Sequence, residues 1–194
     1  MSGFFHAILS IIVAVFIHGG VSGVVDVAPQ EAVDDFMAGL TSGDKQAMEQ
    51  YMDNEYVNFL VNTEGDEKVL ARMNDALFEN LEYTINDTAE KGNVAVVEVE
   101  LKTNDFSDVM KKYDKDSYEF VMDHLYDDKV TDKKKLNAEC LNIYVEEIEK
   151  DAGKDASIEK EIYIPMVGDG YGGWKILLDD KLMKSFLGEL AMPE

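Results

Sequence analysis

Cysteine is nearly absent from this sequence, since Cys140 is the single one among 194 residues. An intramolecular disulfide and a cysteine-based metal site are therefore both excluded. A domain of this length buries enough apolar surface to fold without such cross-links. Because Cys140 falls on the apolar stripe of a predicted helix, we expect a buried and unreactive thiol.

Positive charge is also scarce. The sequence has 18 Lys and Arg residues against 40 Asp and Glu residues, which gives a formal net charge of -22. Such a chain repels phosphate backbones and anionic lipid surfaces, so we exclude nucleic acid as a partner and expect no membrane contact by the folded part. Solubility alone accounts for this charge, and attraction of cations or of a basic partner is the alternative.

Signatures of catalysis and metal binding are missing as well. His124 is the only histidine beyond residue 25, and its neighbour Asp123 cannot face it, because adjacent helical residues point apart. Asp114–Asp116 begins like an EF-hand loop, but the positions for the third ligand, the glycine and the final glutamate do not match. Those positions hold Tyr118, Glu119 and Leu125. We therefore predict no catalytic residues, no metal site and no cofactor.

The longest apolar run lies at the N-terminus, from Phe4 to Ile17. Its length suits the core of a signal peptide and is short of the roughly 20 residues of a spanning helix. No Lys or Arg precedes it, so an uncleaved anchor and a mis-assigned start stay open as alternatives. We predict that residues 1–25 are a signal peptide or an N-terminal membrane anchor. Val21–Val24 is similar to a bacterial lipobox, but Val24 stands where the lipidated cysteine would be.

The remaining residues, 26–194, are predicted to form a single domain. Apolar residues at helical spacing predict helices over about residues 29–40, 44–52, 66–78, 106–125, 133–152 and 180–190, with a break at Asp114–Ser117. Alternation predicts two hairpins, with strands at about 81–86, 94–101, 157–166 and 174–178. No βαβ alternation occurs, which excludes a doubly wound parallel sheet. The order predicts an α+β fold in which helices cover the apolar face of an antiparallel sheet.

Two stretches carry a family resemblance. Ala32–Met52 resembles the opening helix pair of NTF2-like (cystatin-like cone) proteins, and Gly173–Ile176 resembles their closing strand. The chain is similar in character to uncharacterised NTF2-like domains of bacterial surface lipoproteins. The resemblance implies a cone made of a curved antiparallel sheet of about four strands on helices. The helical stretch at about 105–152 is longer than expected for this group, and we predict that it is an insertion. The superfamily includes isomerases, dehydratases, cyclases and binding modules, and no catalytic motif of any member matches here.

Four residues are candidates for ligand binding: Lys160, Trp174, Tyr163 and His124. Lys160 interrupts the apolar inward face of its strand, between Ile158 and Ile162. It is either a cation for an anionic ligand at a pocket mouth or an edge residue whose amine reaches water. Trp174 falls on the inward face of the last strand, where a role in the core is the default.

We predict an exported, non-enzymatic binding or interaction domain, located in the bacterial cell envelope or outside the cell. Its partner is an unknown small molecule or protein. The alternative is a small-molecule enzyme of isomerase or hydrolase type, which needs a carboxylate or a tyrosine, such as Tyr83 or Tyr163, buried in the cone pocket with a shifted pKa. A scaffold piece of an envelope complex is a third hypothesis, for which a large exposed apolar patch is the sign.

Overall fold

A computed structural model describes residues 27–43 and 66–191. The predicted N-terminal segment and the predicted helix at 44–52 lie outside these ranges. The elements, in chain order, are α1 (Pro29–Ser42), α2 (Glu67–Phe78), β1 (Glu82–Lys91), β2 (Val94–Asn104), α3 (Val109–Asp123), α4 (Asp128–Thr131), α5 (Lys133–Ala152), β3 (Ser157–Gly168), β4 (Trp174–Ile176) and α6 (Asp180–Phe186).

The four strands form one open antiparallel sheet in the order β1-β2-β3-β4. The predicted α+β class and the antiparallel sheet are therefore confirmed. Strands β2 and β3 pair along their whole length, from Val94 with Val167 to Asn104 with Ser157. By contrast, β4 pairs only with the stretch 166–168. Most of the outer edge of β3 therefore has no strand beside it among the described residues.

One face of the sheet is apolar, as the alternation predicts. The inward side chains of β2 and β3 are almost completely buried, and they include Val97, Val99, Leu101, Ile162, Ile164 and Met166. Strand β4 ends at Ile176, two residues before the predicted end. The Leu177 amide still donates to the Pro165 carbonyl at 2.8 Å, but the strand pairing stops there. Proline lacks an amide hydrogen, so Pro165 cannot continue the ladder on this side.

Helices α1, α2 and α5 contribute to the core over the apolar face. The first helix opens at Pro29, where a missing amide hydrogen costs nothing, and ends at Gly43 in the left-handed conformation. Its buried Phe36 meets Phe186 of α6 edge to face, with the ring centroids 5.3 Å apart. Burial of each such side chain contributes about 1.5–3 kcal/mol. Packing of this face therefore dominates the stability of the helical layer.

The single arginine of the sequence, Arg72, joins α2 to α5. Its guanidinium donates to both carboxylate oxygens of Glu149, with Nε at 2.8 Å from Oε1. The remaining nitrogen donates to the side-chain oxygen of Asn142 at 3.1 Å. Such a two-pronged contact fixes geometry better than a lysine ammonium does, and it holds the two helices in register.

The predicted break at Asp114–Ser117 is wrong, because α3 runs unbroken from Val109 to Asp123. Tertiary contacts override the weak helix propensity of this stretch. The Tyr113 ring packs edge-on against buried Tyr144 of α5, with centroids 5.4 Å apart. The helix also ends earlier than predicted, since His124 is its cap and Leu125 is exposed.

Two carboxylates are buried where α5 meets α3. Asp151 is 3% exposed and pairs with Lys112 of α3 and with Lys154, while buried Glu147 pairs with Lys150. Burial alone raises the pKa of Asp151, but the hydrogen bonds from Lys112 and Lys154 outweigh it, and the pKa lies below its usual value. A buried charge of this kind persists only when it is paired.

Cys140 is half-buried rather than buried, which corrects the expectation for this thiol. Burial raises its pKa above the ordinary value. A thiol with a raised pKa is largely protonated at neutral pH and is a poor nucleophile. The predicted lack of reactivity therefore has a physical cause even though the side chain reaches the surface.

Candidate functional site

A groove runs along the uncovered edge of β3, between that strand and α6. It consists of two adjoining cavities of about 470 and 490 Å³ that share Tyr163, Asp179 and Leu182. We call it the β3–α6 groove. Its other lining residues are Lys160, Glu161, Ile162, Pro165, Lys175, Ile176, Leu177, Leu178, Lys181 and Ser185.

The groove exists because the chain turns away from the sheet after β4 and returns as α6. The Asp179 carboxylate caps α6 by accepting the Leu182 amide hydrogen at 2.7 Å. This contact fixes where the helix starts. The cap was foreseeable, since an aspartate directly precedes an apolar helical pattern.

Lys160 lies at one end of the groove and is half-buried. Its ammonium forms an ion pair with Glu189, which follows α6. Glu189 reaches it because Gly188 and Glu189 both adopt left-handed backbone conformations, with φ of 56° and 64°. The charge of Lys160 is thus compensated by a carboxylate of the chain itself. No sequence signal pointed to Glu189, which lies 29 residues away from its partner.

Tyr163 lies on the opposite face of β3 from Ile162, and its hydroxyl donates to the Glu161 carboxylate. That hydrogen bond is the main reason why the pKa of Tyr163 is raised to about 12. The phenol is therefore protonated at neutral pH. It offers the groove an aromatic edge and a polar oxygen.

Two further lysines give the groove its electrostatic character. Lys175 and Lys181 are exposed and have no ion-pair partner among the residues that the structure describes. Lys175 lines one of the two cavities and Lys181 the other, while buried Leu182 gives both of them an apolar wall. Sequence reasoning missed both lysines, because one lies on an outward strand position and the other on a short helix. The arrangement suits a ligand with an apolar body and an anionic group.

Trp174 does not line the groove. It is 3% exposed, and its indole N–H donates to the main-chain oxygen of Val27 at 2.8 Å. The contact anchors the start of the described chain to β4 and satisfies the only polar atom of the ring. Trp174 therefore lies in the core.

His124 is also apart from the groove, at the end of α3. Its ring Nδ1 lies 2.9 Å from the Phe120 carbonyl oxygen, so Nδ1 carries the hydrogen. The imidazole stacks on the Phe120 ring, with centroids 4.5 Å apart. A separate cavity of about 500 Å³, lined by residues 122–128, opens beside it. Of the four candidate residues, the structure brings together only Lys160 and Tyr163.

Tyr83, the other tyrosine considered for acid–base chemistry, connects β1 to α1. Its hydroxyl donates to the Asp34 carboxylate at 2.8 Å. Burial first, and then this hydrogen bond, raise its pKa to about 12. A phenol with so high a pKa gives up its proton reluctantly at neutral pH, and the pair acts as a link between helix and sheet.

The described residues offer neither a metal-binding cluster nor a membrane-spanning helix. No group of three or more His, Cys, Asp or Glu side chains could hold a metal ion in residues 27–43 and 66–191. Within the same ranges, no helix is long and apolar enough to cross a membrane.

The fold and the groove define an acidic α+β domain with a lysine-bearing cleft at a sheet edge. The chain belongs to the family Domain of unknown function (DUF5105), whose model matches residues 30–188. Among solved structures, it is similar to a "putative lipoprotein (ycdA)" from Bacillus subtilis subsp. subtilis str. 168, with 18% sequence identity and a TM-score of 0.43. That similarity covers 94% of this chain and 54% of the other, so the chain spans about half the length of that protein. No curated protein matches the chain.

Proposed function

We propose that the chain is an exported, non-enzymatic binding module, and that the β3–α6 groove holds a small ligand with an apolar body and an anionic group. The observation that carries the proposal is the pair of lysines, Lys175 and Lys181, beside an apolar floor. Acidic residues outnumber basic residues more than twofold in this chain. A cleft that is lined by several lysines is therefore not what the overall composition would give. Ammonium groups attract an anion, and the apolar floor supplies most of the affinity.

The titratable groups of the groove support binding rather than catalysis. Asp179 caps a helix, Glu161 accepts from Tyr163, and Lys160 is paired with Glu189. A general base needs a group that is free to take a proton near neutral pH. Each of these groups is instead engaged in a contact within the fold.

The proposal includes export, a single domain over residues 26–194 and an NTF2-like cone. The apolar run from Phe4 to Ile17 supports export. A helical layer on one face of an antiparallel sheet supports the cone, and helices α3 to α5 occupy the place of the predicted insertion. Cell-envelope location follows from export and from the alternative of an uncleaved anchor.

Mass spectrometry of the purified protein tests both parts of this proposal. We expect a native mass that exceeds the denatured mass by one small anionic molecule. We also expect a denatured mass that lacks the first residues, up to about residue 25, if the segment is cleaved. Retention of the full N-terminus with the protein in the membrane fraction would indicate the anchor, and recovery from the cytoplasm would contradict export.

A titration locates the ligand in the groove. Decanoate and decyltrimethylammonium have the same apolar chain and opposite charge, so they separate charge recognition from hydrophobic binding. We expect decanoate to bind more tightly, and Lys181→Glu to weaken it about tenfold. Lys91→Glu, on an exposed hairpin, makes the same change in net charge and serves as the control. Equal effects of the two variants, or preference for the cationic probe, would contradict the proposal.

A further inference from the structure

The end of α3 and the turn that leads from it to α4 carry an unusual concentration of exposed apolar side chains. Six large hydrophobic residues are exposed in the described ranges, and four of them fall between positions 118 and 126. They are Tyr118, Met122, Leu125 and Tyr126, of which Tyr118 is 65% and Tyr126 is 99% exposed. We call residues 118–128 the helical tip. Scattered surface hydrophobics are normal, but a contiguous group indicates an interaction site.

The tip has a defined shape. Tyr118 and Met122 are one helical turn apart and lie on the same side of α3. The turn that follows is closed by a hydrogen bond from the Asp127 amide to the His124 carbonyl at 2.8 Å. The Phe120 and His124 rings stack on each other just before this turn. The cavity of about 500 Å³ is lined by the residues of the turn, 122–128. A surface held in this way loses little conformational freedom on binding.

The charged residues within the tip are all acidic, and the nearest lysine in sequence, Lys129, holds its ammonium 5.9 Å from the centroid of the Phe120 ring. Residues 118–128 contain Glu119, Asp123, Asp127 and Asp128 and no Lys or Arg. Glu119 pairs with Lys115 at 3.3 Å, and Asp128 pairs with Lys135. Asp123 is exposed and has no ion-pair partner among the residues that the structure describes.

The last turn of α3 carries Asp123 and no basic residue. The first turn has no acidic residue, and the first half of the helix holds three lysines with two aspartates, Asp114 and Asp116. Carboxylates near a helix C-terminus are unfavourable, because the backbone carbonyls there are already partly negative. Helix stability therefore does not explain Asp123, an exposed carboxylate next in sequence to the exposed Met122.

We propose that the helical tip is a docking surface for a cationic amphipathic segment of a partner protein. The apolar side chains of the segment cover Met122 and Tyr126, and its lysines or arginines face Asp123 and Asp127. Charge complementarity selects this occupant. A second copy of the chain would bring two like-charged tips together, and an anionic lipid surface would be repelled in the same way.

The test uses the full chain and two synthetic peptides. One is an amphipathic helix of Lys and Leu of about 14 residues, which gives several helical turns. The other carries Glu in place of every Lys. We expect calorimetric titration to show binding of the Lys peptide only, weakened by salt. A chain of this net charge attracts any cationic peptide. The proposal therefore depends on whether the peptide binds at the helical tip.

Matched variants determine that position. We expect the double variant Met122→Ser/Tyr126→Ser to weaken binding about tenfold or more, as loss of interface anchors does. The control is Tyr171→Ser, at a tyrosine that is 96% exposed in the β3–β4 loop. For charge, Asp123→Asn should weaken binding several-fold more than Glu90→Gln on the β1–β2 hairpin. If the double variant unfolds, Tyr126→Ser alone serves, since that side chain is almost fully exposed.

Several results would overturn the proposal. These are equal weakening by the tip and control variants, equal binding of the Glu peptide, and no binding of either peptide. Loss of self-association in the tip variants, or loss of binding to phosphatidylcholine vesicles in place of the peptide, would assign the tip to a second copy or to a membrane instead.

Discussion

Gly188 is the position where the structure predicts the largest effect of a single methyl group. It follows α6 with φ of 56°, and its carbonyl accepts the Phe106 amide hydrogen at 2.8 Å. A Cβ placed there would lie 1.9 Å from the Asn104 carbonyl oxygen and 2.9 Å from the Phe106 ring. The first contact is with backbone at the end of β2, so no side-chain rotation relieves it.

The expected destabilisation of Gly188→Ala has two sources. An L-residue in the left-handed region costs roughly 1–2 kcal/mol. Relief of the clash requires the two main chains to separate, which breaks the hydrogen bond to the fully buried Phe106 and costs about 1–3 kcal/mol. We therefore expect a loss of about 2–5 kcal/mol. That is a large part of the 5–15 kcal/mol by which domains are typically stable.

Urea unfolding followed by circular dichroism measures the effect, with Gly92→Ala as the matched control. Gly92 has φ of 66° in the β1–β2 hairpin, and its Cβ would meet nothing within 4 Å. The control thus carries only the conformational cost, and its midpoint should fall by about 0.5 M against about 2 M for Gly188→Ala. Equal midpoint shifts would show that the close approach of Gly188 to β2 does not exist, and would refute the reasoning.

Three further predictions concern individual contacts. Because the pKa of Asp151 is lowered in the folded state, its pair with Lys112 stabilises the fold above the unfolded pKa of about 3.9 and loses this contribution as the pH falls further. In Asp151→Asn, the free energy of unfolding should therefore depend less on pH below about pH 4. Wild-type and variant curves of this free energy against pH that run parallel would contradict the prediction. Arg72→Lys loses the two-pronged bond to Glu149 and should cost about 1 kcal/mol in urea unfolding, which an unchanged midpoint would exclude. Trp174→Phe removes an indole hydrogen bond and should lower stability by about 1–3 kcal/mol, with faster amide exchange at the N-terminal end of α1 as the specific sign.

Local patterns predicted the type of each described element except the short helix α4, which no pattern predicted. The alternation in β2 and β3 predicted which side chains are buried, because strand geometry puts successive residues on opposite faces. The cap of α6 at Asp179 followed from a short polar side chain before an apolar helical run. The break predicted at Asp114 failed because packing of Tyr113 on Tyr144 overrides a weak local preference.

The candidate site was only partly accessible to such reasoning. Lys160 stood out because a charge interrupts an apolar face, and that signal led to one end of the groove. Lys181 and Glu189 gave no signal, since their importance depends on where α6 lies against β3. His124 was a candidate because it is the only histidine beyond residue 25, and composition says nothing about position. Trp174 was a candidate because of its inward strand position, and that same position puts it in the core.

The sequence by itself determined the acidity of the chain, the lack of a disulfide, the α+β class and the apolar face of the sheet. All of these depend on residue counts or on the fixed periods of helices and strands. Only the tertiary structure decided that β4 is short, that the freed edge of β3 borders a groove, and that apolar side chains gather at the helical tip. Each of these arises from contacts between distant parts of the chain, and no local period encodes such contacts.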